Sequence, residues 1–302
     1  MTHDVFGEVT LIPVLPAPGG RHVFGAWGPD ERFVDAFAHP WCQPALARLG
    51  SAPERFETPV VYGGMAMNHF GHFVLEALSR LWFLRDRPEL PILWHWIDLP
   101  VPHSAWEGWM DQVMALVGLG QRRNIMLRAP VFARQIIVPR HGFQSCAFLH
   151  PDQASALAVV VGDAGAPGGR IWLSRRGLPP QFGGVEGEEA LEALLSARGW
   201  TVLEPEALTV AQKAGLFAAA DIVSGFAQSA FHAVLLQAAP RARLRPVIRP
   251  SVTMQDYEIV AAARSLDFAA STADLTETVA RASWSNYRLE NAAALAEAVD
   301  GA

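Results

Sequence analysis

The chain has 302 residues, of which 51% are hydrophobic and 18% are charged. This composition predicts one large or two medium folded domains and excludes a disordered chain. Its net charge of −6 at pH 7 gives no overall attraction to nucleic acid. The two cysteines, Cys42 and Cys146, are too few for a disulfide framework or a zinc cluster.

The chain carries no sign of a targeting or membrane-spanning segment. The first residues lack the basic and apolar regions of a signal peptide, and no stretch reaches about 18 uninterrupted apolar residues. We therefore expect a cytoplasmic protein that is at most peripheral to a membrane. Apolar stretches around 90–96 and 106–110 can either contact lipid or pack in a Trp-rich core.

Residues 1–160 predict alternating strands and helices. The first sixty residues read as irregular and strand-rich, with Pro and Gly interruptions. A helix then begins at Asn68, a good N-cap residue, and ends before Pro88. The elements expected after residue 60 are a helix over 68–86, a strand over 90–94, a helix over 104–116 that Ser104 can cap, and a strand over 134–139.

The Gly- and Pro-containing segment 164–169 predicts a domain boundary, and the alternation then resumes. The strands expected are 170–174, 200–203, 221–224 and 244–248, and the helices expected are 186–198, 210–220, 229–238 and 254–264. Such a series predicts an α/β layer structure with a parallel sheet. We divide the chain into a domain over 1–160, a second over 161–285, and a C-terminal Ala-rich helix within 286–302 that packs back.

The helix over 68–86 carries an unusual polar row. Residues three and four positions apart share a helix face, which aligns Asn68 or His69 with His72, Glu76 and Arg80. Arg80 can keep Glu76 ionised through an i, i+4 pair. The row is either the wall of a catalytic site or a buried, hydrogen-bonded polar cluster. A third reading is metal binding by His69, His72 and Glu76, and we predict no metal site.

Two further segments predict contacts to an anion. The strand over 170–174 runs into Arg175 and Arg176, where two guanidinium groups can hold a diphosphate without a metal. The alternative is a solvated arginine pair at a strand end. The segment 221–232 reads as strand, turn and helix start, with Gly225 in the turn, Ser229 as N-cap and His232 in the helix.

Several common nucleotide and catalytic motifs are missing from the sequence. It contains no Gly-x-Gly-x-x-Gly after a strand, no Gly-x-x-x-x-Gly-Lys-[Ser/Thr] loop, no Gly-x-Ser-x-Gly turn and no Asp-x-Asp pair. Classical NAD sites, phosphate loops and hydrolase serines are therefore unsupported. The missing Asp-x-Asp pair favours metal-independent chemistry.

The order of these three elements resembles glycosyltransferase family 61, in particular its bacterial capsule-type branch. The resemblance implies two Rossmann-like, doubly wound domains that face a cleft, the GT-B architecture. It implies that Glu76 is the base, with His72 orienting the acceptor or acting as the base itself. Asn68, His69 and Arg80 would support the acceptor side.

The same resemblance implies the donor site. Arg175, Arg176, Gly225, Ser229 and His232 would hold the donor phosphates, although Phe226, Ala227 and Gln228 stand where the family has more glycine. The carboxylate of Glu206 would contact the ribose or a sugar hydroxyl.

The implied reaction is inverting and needs no metal or other cofactor. The partners are a nucleotide sugar and a glycan or lipid-linked acceptor in surface polysaccharide synthesis, with contact to the inner membrane implied by the family alone. Two other functions stay open: a non-catalytic nucleotide- or carbohydrate-binding protein, and a metal-dependent hydrolase built on His69, His72 and Glu76.

Overall fold

The computed structural model describes residues 1–17, 21–38, 42–45, 54–97, 106–161, 169–179, 182–280 and 285–301. The chain forms two compact units. The first unit contains Met1–Gln144 and His150–Ala156, and the second contains Ser145–Leu149 and Leu157–Ala302. None of the described helices is both long enough and apolar enough to cross a bilayer. The predicted cap Ser104 and most of the predicted boundary segment 164–169 lie outside the described residues.

The first unit is built on one mixed sheet. The strands of this sheet are β1 (His3–Ala17), β2 (Arg21–Trp27), β3 (Cys42–Pro44), β4 (Glu54–Phe56), β5 (Val60–Met67), β6 (Ile92–Ile97), β7 (Asn124–Met126) and β8 (Val131–Pro139), and the unit also has a short strand β9 (Phe143–Gln144) outside this sheet. Its helices are α1 (Phe70–His72), α2 (Leu81–Leu84), α3 (Gly108–Leu116) and α4 (Pro151–Leu157), with a 3₁₀ turn at Asp35–Phe37 and a π-helix at Phe73–Ala77.

The strands of this sheet run in the order β3-β2-β1-β8-β5-β6-β7, and β4 pairs with β8. Strand β1 is antiparallel to β2 and to β8, whereas β5, β6, β7 and β8 form parallel pairs. The expectation of an entirely parallel sheet was therefore wrong for this unit. Every residue of β5 and β6 is buried, as in strands covered on both faces. The stretch that we considered for lipid contact around 90–96 thus belongs largely to the core.

The helix expected over 68–86 is broken into three pieces. The π-helix Phe73–Ala77 follows α1, and a turn over residues 78–80 separates it from α2. The sequence argument treated the segment as amphipathic, but its residues from 73 to 81 are buried except for Glu76. Packing against the sheet, rather than one apolar stripe, therefore determines the path of this segment.

The second unit contains a parallel sheet and a smaller three-stranded one. Its strands are β10 (Phe148–Leu149), β11 (Gly169–Leu173), β12 (Val185–Glu186), β13 (Thr201–Leu203), β14 (Ala220–Phe226), β15 (Arg243–Val247), β16 (Leu275–Val279) and β17 (Asn286–Leu289). Its helices are α5 (Glu188–Ala197), α6 (Val210–Ala219), α7 (Gln255–Ala263) and α8 (Ala292–Asp300), with 3₁₀ segments at Pro205–Ala207 and Ser229–Leu236.

The order of the parallel sheet, β13-β11-β14-β15, defines where a ligand can bind. The chain moves outward from β11 to β13, and then returns to the other side of β11 to form β14 and β15. The order therefore reverses between β11 and β14. In open α/β sheets the crevice beyond the carboxyl ends of the strands at such a reversal is the usual ligand site.

Two elements of the second unit differ from their predicted form. Residues 286–289 form β17 rather than the start of a helix, because Tyr287 and Leu289 point inward while Arg288 is exposed. The following helix α8 begins after Asn291, whose side chain accepts from the Ala294 amide, and it packs on α5. The helix expected over 229–238 is a buried 3₁₀ segment over Ser229–Leu236.

Candidate functional site

In the first unit, His72 and Glu76 form a close pair at the π-helix. The His72 Nδ1 lies 2.9 Å from the Glu76 Oε2, and the two side chains are 31% and 12% exposed. The Nδ1–H of the imidazole can donate to the Glu76 carboxylate, and in that tautomer of the neutral ring Nε2 is the acceptor nitrogen. The pair therefore resembles a histidine base that a carboxylate orients. The π-helix that carries Glu76 is a rare geometry that occurs frequently at functional sites.

Hydrogen bonds of Asn68 and His69 stabilise the start of helix α1, next to the His72–Glu76 pair. His69 is the N-cap of α1, where its Nδ1 accepts from the His72 amide at 3.4 Å, and the two imidazole rings are 4.5 Å apart. Asn68 donates through Nδ2 to the Glu107 Oε1 at 2.9 Å, and the Trp109 indole donates to the other oxygen of Glu107 at 2.9 Å. Sequence reasoning missed Glu107, which no motif marks.

Arg80 does not form the predicted pair with Glu76. Its side chain is 2% exposed, its Nε donates to the Pro139 carbonyl and its Nη2 donates to the His141 Nε2, both at 2.9 Å. The guanidinium also stacks over the Tyr62 ring at 4.9 Å. The π-helix and the turn at 78–80 break the i, i+4 geometry on which the prediction depended. Burial lowers the pKa of Arg80 to about 10, so the group stays charged at neutral pH.

Within the described residues, the structure does not bring together a set of ligands for the metal site that we considered at His69, His72 and Glu76. Among the residues that the structure describes, no group of three or more His, Cys, Asp or Glu side chains is placed to hold a metal ion. His69 and Glu76 each form a hydrogen bond with His72.

In the second unit, polar residues follow all four parallel strands at the carboxyl edge. Arg175 follows β11, Glu206 follows β13, Gln228 follows β14 and Arg249 follows β15. The Gln228 Nε2 donates to the carbonyl of Leu173, the last residue of β11, at 2.9 Å and so joins the two strands at the reversal point. Gln228, one of the three residues at which we expected glycine, therefore links the carboxyl ends of β11 and β14.

Arg175 and Arg249 are buried together at this edge. They are 4% and 3% exposed, and both donate to the Gly183 carbonyl, at 2.8 Å from the Arg175 Nη2 and 3.5 Å from the Arg249 Nη1. Arg175 also donates to the Phe182 carbonyl, and Arg249 donates to the Ala227 carbonyl. Over the described part of the chain, neither guanidinium has a carboxylate oxygen within 4 Å.

Two ionisable groups of this cluster, Arg175 and Glu188, have strongly shifted pKa values. Burial, and then the nearby charge of Arg249, lowers the pKa of Arg175 to about 9. Burial, and then Glu192, raises the pKa of Glu188 to about 7. The Glu188 Oε1 accepts from the Trp172 indole and the Arg175 amide, and its Oε2 is buried with no hydrogen-bond partner within the described residues. The cluster therefore carries excess positive charge in a desolvated place.

The other predicted donor residues lie around this cluster in different roles. Arg176 is exposed and pairs with Glu192 at 3.1 Å and with Glu189 at 3.5 Å, so α5 holds it. Glu206 is exposed as a residue, yet desolvation of its carboxyl raises its pKa. A Cβ on Gly177 would lie 3.2 Å from the Glu204 Oε2 and 3.4 Å from the Glu206 Oε2, so both carboxylates approach the turn after Arg176.

The segment after β14 differs most from expectation. Gly225 lies within β14 at φ +151°, and a Cβ there would be 2.6 Å from the Leu173 carbonyl oxygen. The absence of a side chain at Gly225 thus allows strands β11 and β14 to approach each other closely. Ser229 is not the N-cap: Gln228 holds that position, and no side chain caps the 3₁₀ segment. His232 is buried against the Tyr257 ring at 4.7 Å.

Sequence reasoning missed Arg249 as well as Glu188. The signal for Arg249 was present, because Arg249 directly follows the predicted strand over 244–248, as Arg175 follows its own strand. The signal for Glu188 was weak, since a glutamate in the first turn of a predicted helix usually faces solvent.

Comparison with known families identifies the class of protein. The family model for glycosyltransferase 61 matches residues 70–244, which is more than half of the chain. The chain therefore belongs to glycosyltransferase family 61, a family of sugar-transferring enzymes. The matched region includes both the His72–Glu76 pair and Arg175. A search of curated proteins finds no match.

Proposed function

We propose that the protein is an inverting, metal-independent glycosyltransferase that uses a nucleotide-sugar donor. The observation that carries this proposal is the buried pair of Arg175 and Arg249 at the carboxyl edge of the parallel sheet. Buried charges are costly unless they are paired. Two guanidinium groups that share one carbonyl, with no carboxylate oxygen within 4 Å in the described chain and only the more distant Glu188 to offset both charges, therefore favour a bound anion.

The donor diphosphate fits this requirement. Guanidinium forks bind phosphate oxygens through charge-assisted hydrogen bonds. When the bond from the anomeric carbon to the phosphate breaks, the nucleoside diphosphate leaves with added negative charge. Arg175 and Arg249 would stabilise that charge without a metal, and a fixed, desolvated pair is suited to this because little reorganisation is needed.

The first unit would supply the base. In this proposal the His72 Nε2 takes the proton of the acceptor hydroxyl while Glu76 holds the imidazole and stabilises its charge. The acceptor oxygen then forms a bond to the anomeric carbon as the bond to the phosphate breaks on the opposite face, which inverts the configuration. Asn68, His69 and Glu107 would position the acceptor side. The proposal includes a GT-B arrangement in which the two units face a cleft.

The proposal also names a class of acceptor and a biosynthetic pathway. A glycan or lipid-linked acceptor, and a place in bacterial capsule or other surface polysaccharide synthesis, would require a protein that works in the cytoplasm at the inner membrane face. Support for this part comes from the resemblance to the capsule-type branch of the family.

Thermal unfolding with UDP, GDP, CMP and dTDP, with and without EDTA, tests the donor site. A ligand at 100 times its Kd stabilises a protein by about 2.7 kcal/mol, or roughly 5–10 °C at this size. We expect one nucleotide to raise Tm regardless of EDTA. Arg249→Gln should abolish the shift, whereas Arg241→Gln, before the amino end of the same strand, should preserve it.

The outcomes separate the alternatives. A shift that survives in both Arg249→Gln and Arg175→Met would contradict the assignment of the phosphate site. Nucleotide binding with no transfer to any acceptor would indicate a non-catalytic binding protein. Bound metal in the purified protein, with stability lost in EDTA, would favour the hydrolase built on His69, His72 and Glu76.

A further inference from the structure

An open cavity of about 410 Å³ lies in the first unit, and its lining includes none of the residues assigned to the reaction. Its lining consists of Trp82, Arg85, Asp86, Asp152, Ser155 and Ala156. This volume falls within the range of small-molecule sites. The lining combines one large aromatic ring with charged groups of both signs and a hydroxyl group.

The cavity is formed by elements that are held rigidly together. The buried Gln153 side chain accepts from the Trp82 amide at 3.1 Å and donates to the Leu78 carbonyl at 2.7 Å, which joins α4 to α2. Arg85 adds a second link, from its Nη1 to the Ala156 carbonyl at 2.7 Å. The cavity therefore exists before any ligand binds, which lowers the entropy that binding costs.

The aromatic side chain has a fixed orientation. The Trp82 indole donates to the Arg140 carbonyl at 3.0 Å, and its ring meets the Phe83 ring edge-on at 5.5 Å. The indole is only half-buried. Because the indole N–H has its partner and the rest of the ring is apolar, the exposed part of Trp82 offers a flat apolar surface to a ligand.

The charges of the lining select the kind of ligand. An anion would meet the carboxylates of Asp86 and Asp152, and a cation would meet the guanidinium of Arg85. The charge of Asp152 is already partly offset, because its Oδ2 lies 3.7 Å from the Met1 ammonium and 3.5 Å from the His150 Nδ1. The best match is a neutral molecule whose groups both donate and accept hydrogen bonds and which also has an apolar face. Hydroxyl groups do both, and a pyranose ring presents C–H groups on one face.

We propose that the Trp82 cavity, lined by the six residues named above, is a subsite for a neutral glycan, with a sugar ring packed on the Trp82 indole. Asp86 and Asp152 accept hydrogen bonds from the sugar hydroxyls, and Ser155 can donate or accept. The role of this glycan as the acceptor chain rests on the proposed function. The binding itself needs no transfer and is tested without it.

The test uses an array of defined neutral, sulfated and sialylated oligosaccharides, followed by calorimetric titration of the neutral oligosaccharide that is best retained. Trp82→Ala should weaken this binding more than tenfold, while Trp82→Phe should keep it within a few-fold. Asp86→Asn should weaken it about threefold to tenfold, the effect of one lost hydrogen bond. Glu89→Gln removes a nearby charge outside the cavity and should change nothing.

Three results would overturn the inference: no neutral oligosaccharide is retained by the wild-type protein, retention is limited to the anionic glycans, or affinity is unchanged in both Trp82→Ala and Asp86→Asn. Asp86→Asn keeps the inference testable if Trp82→Ala fails to fold. Nucleotide binding at Arg175 and Arg249 is measured separately. A protein that binds nucleotide but no glycan would refute the Trp82 subsite and leave the proposed donor site standing.

Discussion

Glu188 should make the protein less stable as the pH rises, and Glu188→Gln tests this. The residue is 1% exposed, and burial raises the pKa of its carboxyl from 4.5 to about 7. Its Oε1 accepts from the Trp172 indole and the Arg175 amide, both at 3.2 Å. A glutamine can accept the same two hydrogen bonds, so the substitution removes the ionisation with little change of shape.

The sign and size of the effect follow from the raised pKa. The folded protein keeps the Glu188 proton up to about pH 7, whereas the unfolded chain releases it near pH 4.5. Between these values the folded state binds more protons, so the free energy of unfolding falls as pH rises. At about 1.4 kcal/mol per pH unit, the loss amounts to about 3 kcal/mol. This loss in the free energy of unfolding is complete above about pH 7 and absent below about pH 4.5.

Urea unfolding at several pH values from 4.5 to 8 measures this loss. The wild-type free energy of unfolding minus that of Glu188→Gln should decrease by about 3 kcal/mol over the range. Any constant cost of the glutamine amide cancels, because only the change with pH is compared. Glu189→Gln, at an exposed neighbour, should leave the pH dependence unchanged. A Glu188→Gln variant with the same pH dependence as the wild type would refute the reasoning.

Four further substitutions should have distinct effects. In assays of nucleoside diphosphate release, His72→Gln should lower kcat about 10²–10⁴-fold as the base is lost. Glu76→Gln should cost roughly 10–100-fold, because the glutamine oxygen can still accept from the His72 Nδ1–H but supplies no negative charge. A larger loss in Glu76→Gln than in His72→Gln would exchange their roles. Gly225→Ala should lower the free energy of unfolding by at least about 1–3 kcal/mol, because its Cβ would strike the Leu173 carbonyl; unchanged urea stability would contradict this. Arg80→Met should lower the same quantity by roughly 1–3 kcal/mol, because buried acceptors lose their donor; a more stable variant would show that burying the charge costs more than its hydrogen bonds contribute.

The parallel sheet of the second unit was predictable from the sequence because its signals are local. Each strand is a short apolar run, and each is followed by a breaker or a helix start, such as the capping box of Thr209 and Gln212 before α6. The strand order was not predictable, since it depends on which side of β11 the chain returns. The sequence places both Arg175 and Arg249 after strands, but only the fold shows that the two side chains meet at the Gly183 carbonyl.

In the first unit, the contact between His72 and Glu76 was predictable from the sequence, whereas the position of Arg80 was not. His72 and Glu76 are four residues apart and do meet, as the helical spacing indicated. Arg80 is four residues further on, and the same rule fails there because the π-helix intervenes. A π-helix leaves no signature in composition or periodicity. The partners of Arg80 come from residues 139 and 141, about sixty positions away.

The surroundings of three buried arginines differ, and they distinguish Arg80, which has a structural role, from Arg175 and Arg249, which we propose bind a ligand. Arg80 has a neutral imidazole, a carbonyl and a tyrosine ring as neighbours, and burial is the only cause that lowers its pKa. For Arg175, a second cation, Arg249, adds to the effect of burial. A fold that needed only hydrogen-bond donors here would gain by replacing one arginine with a neutral residue. Glu188 offsets part of the charge of Arg175 and Arg249, but two like charges with no carboxylate oxygen within 4 Å in the described chain favour a ligand that supplies further negative charge.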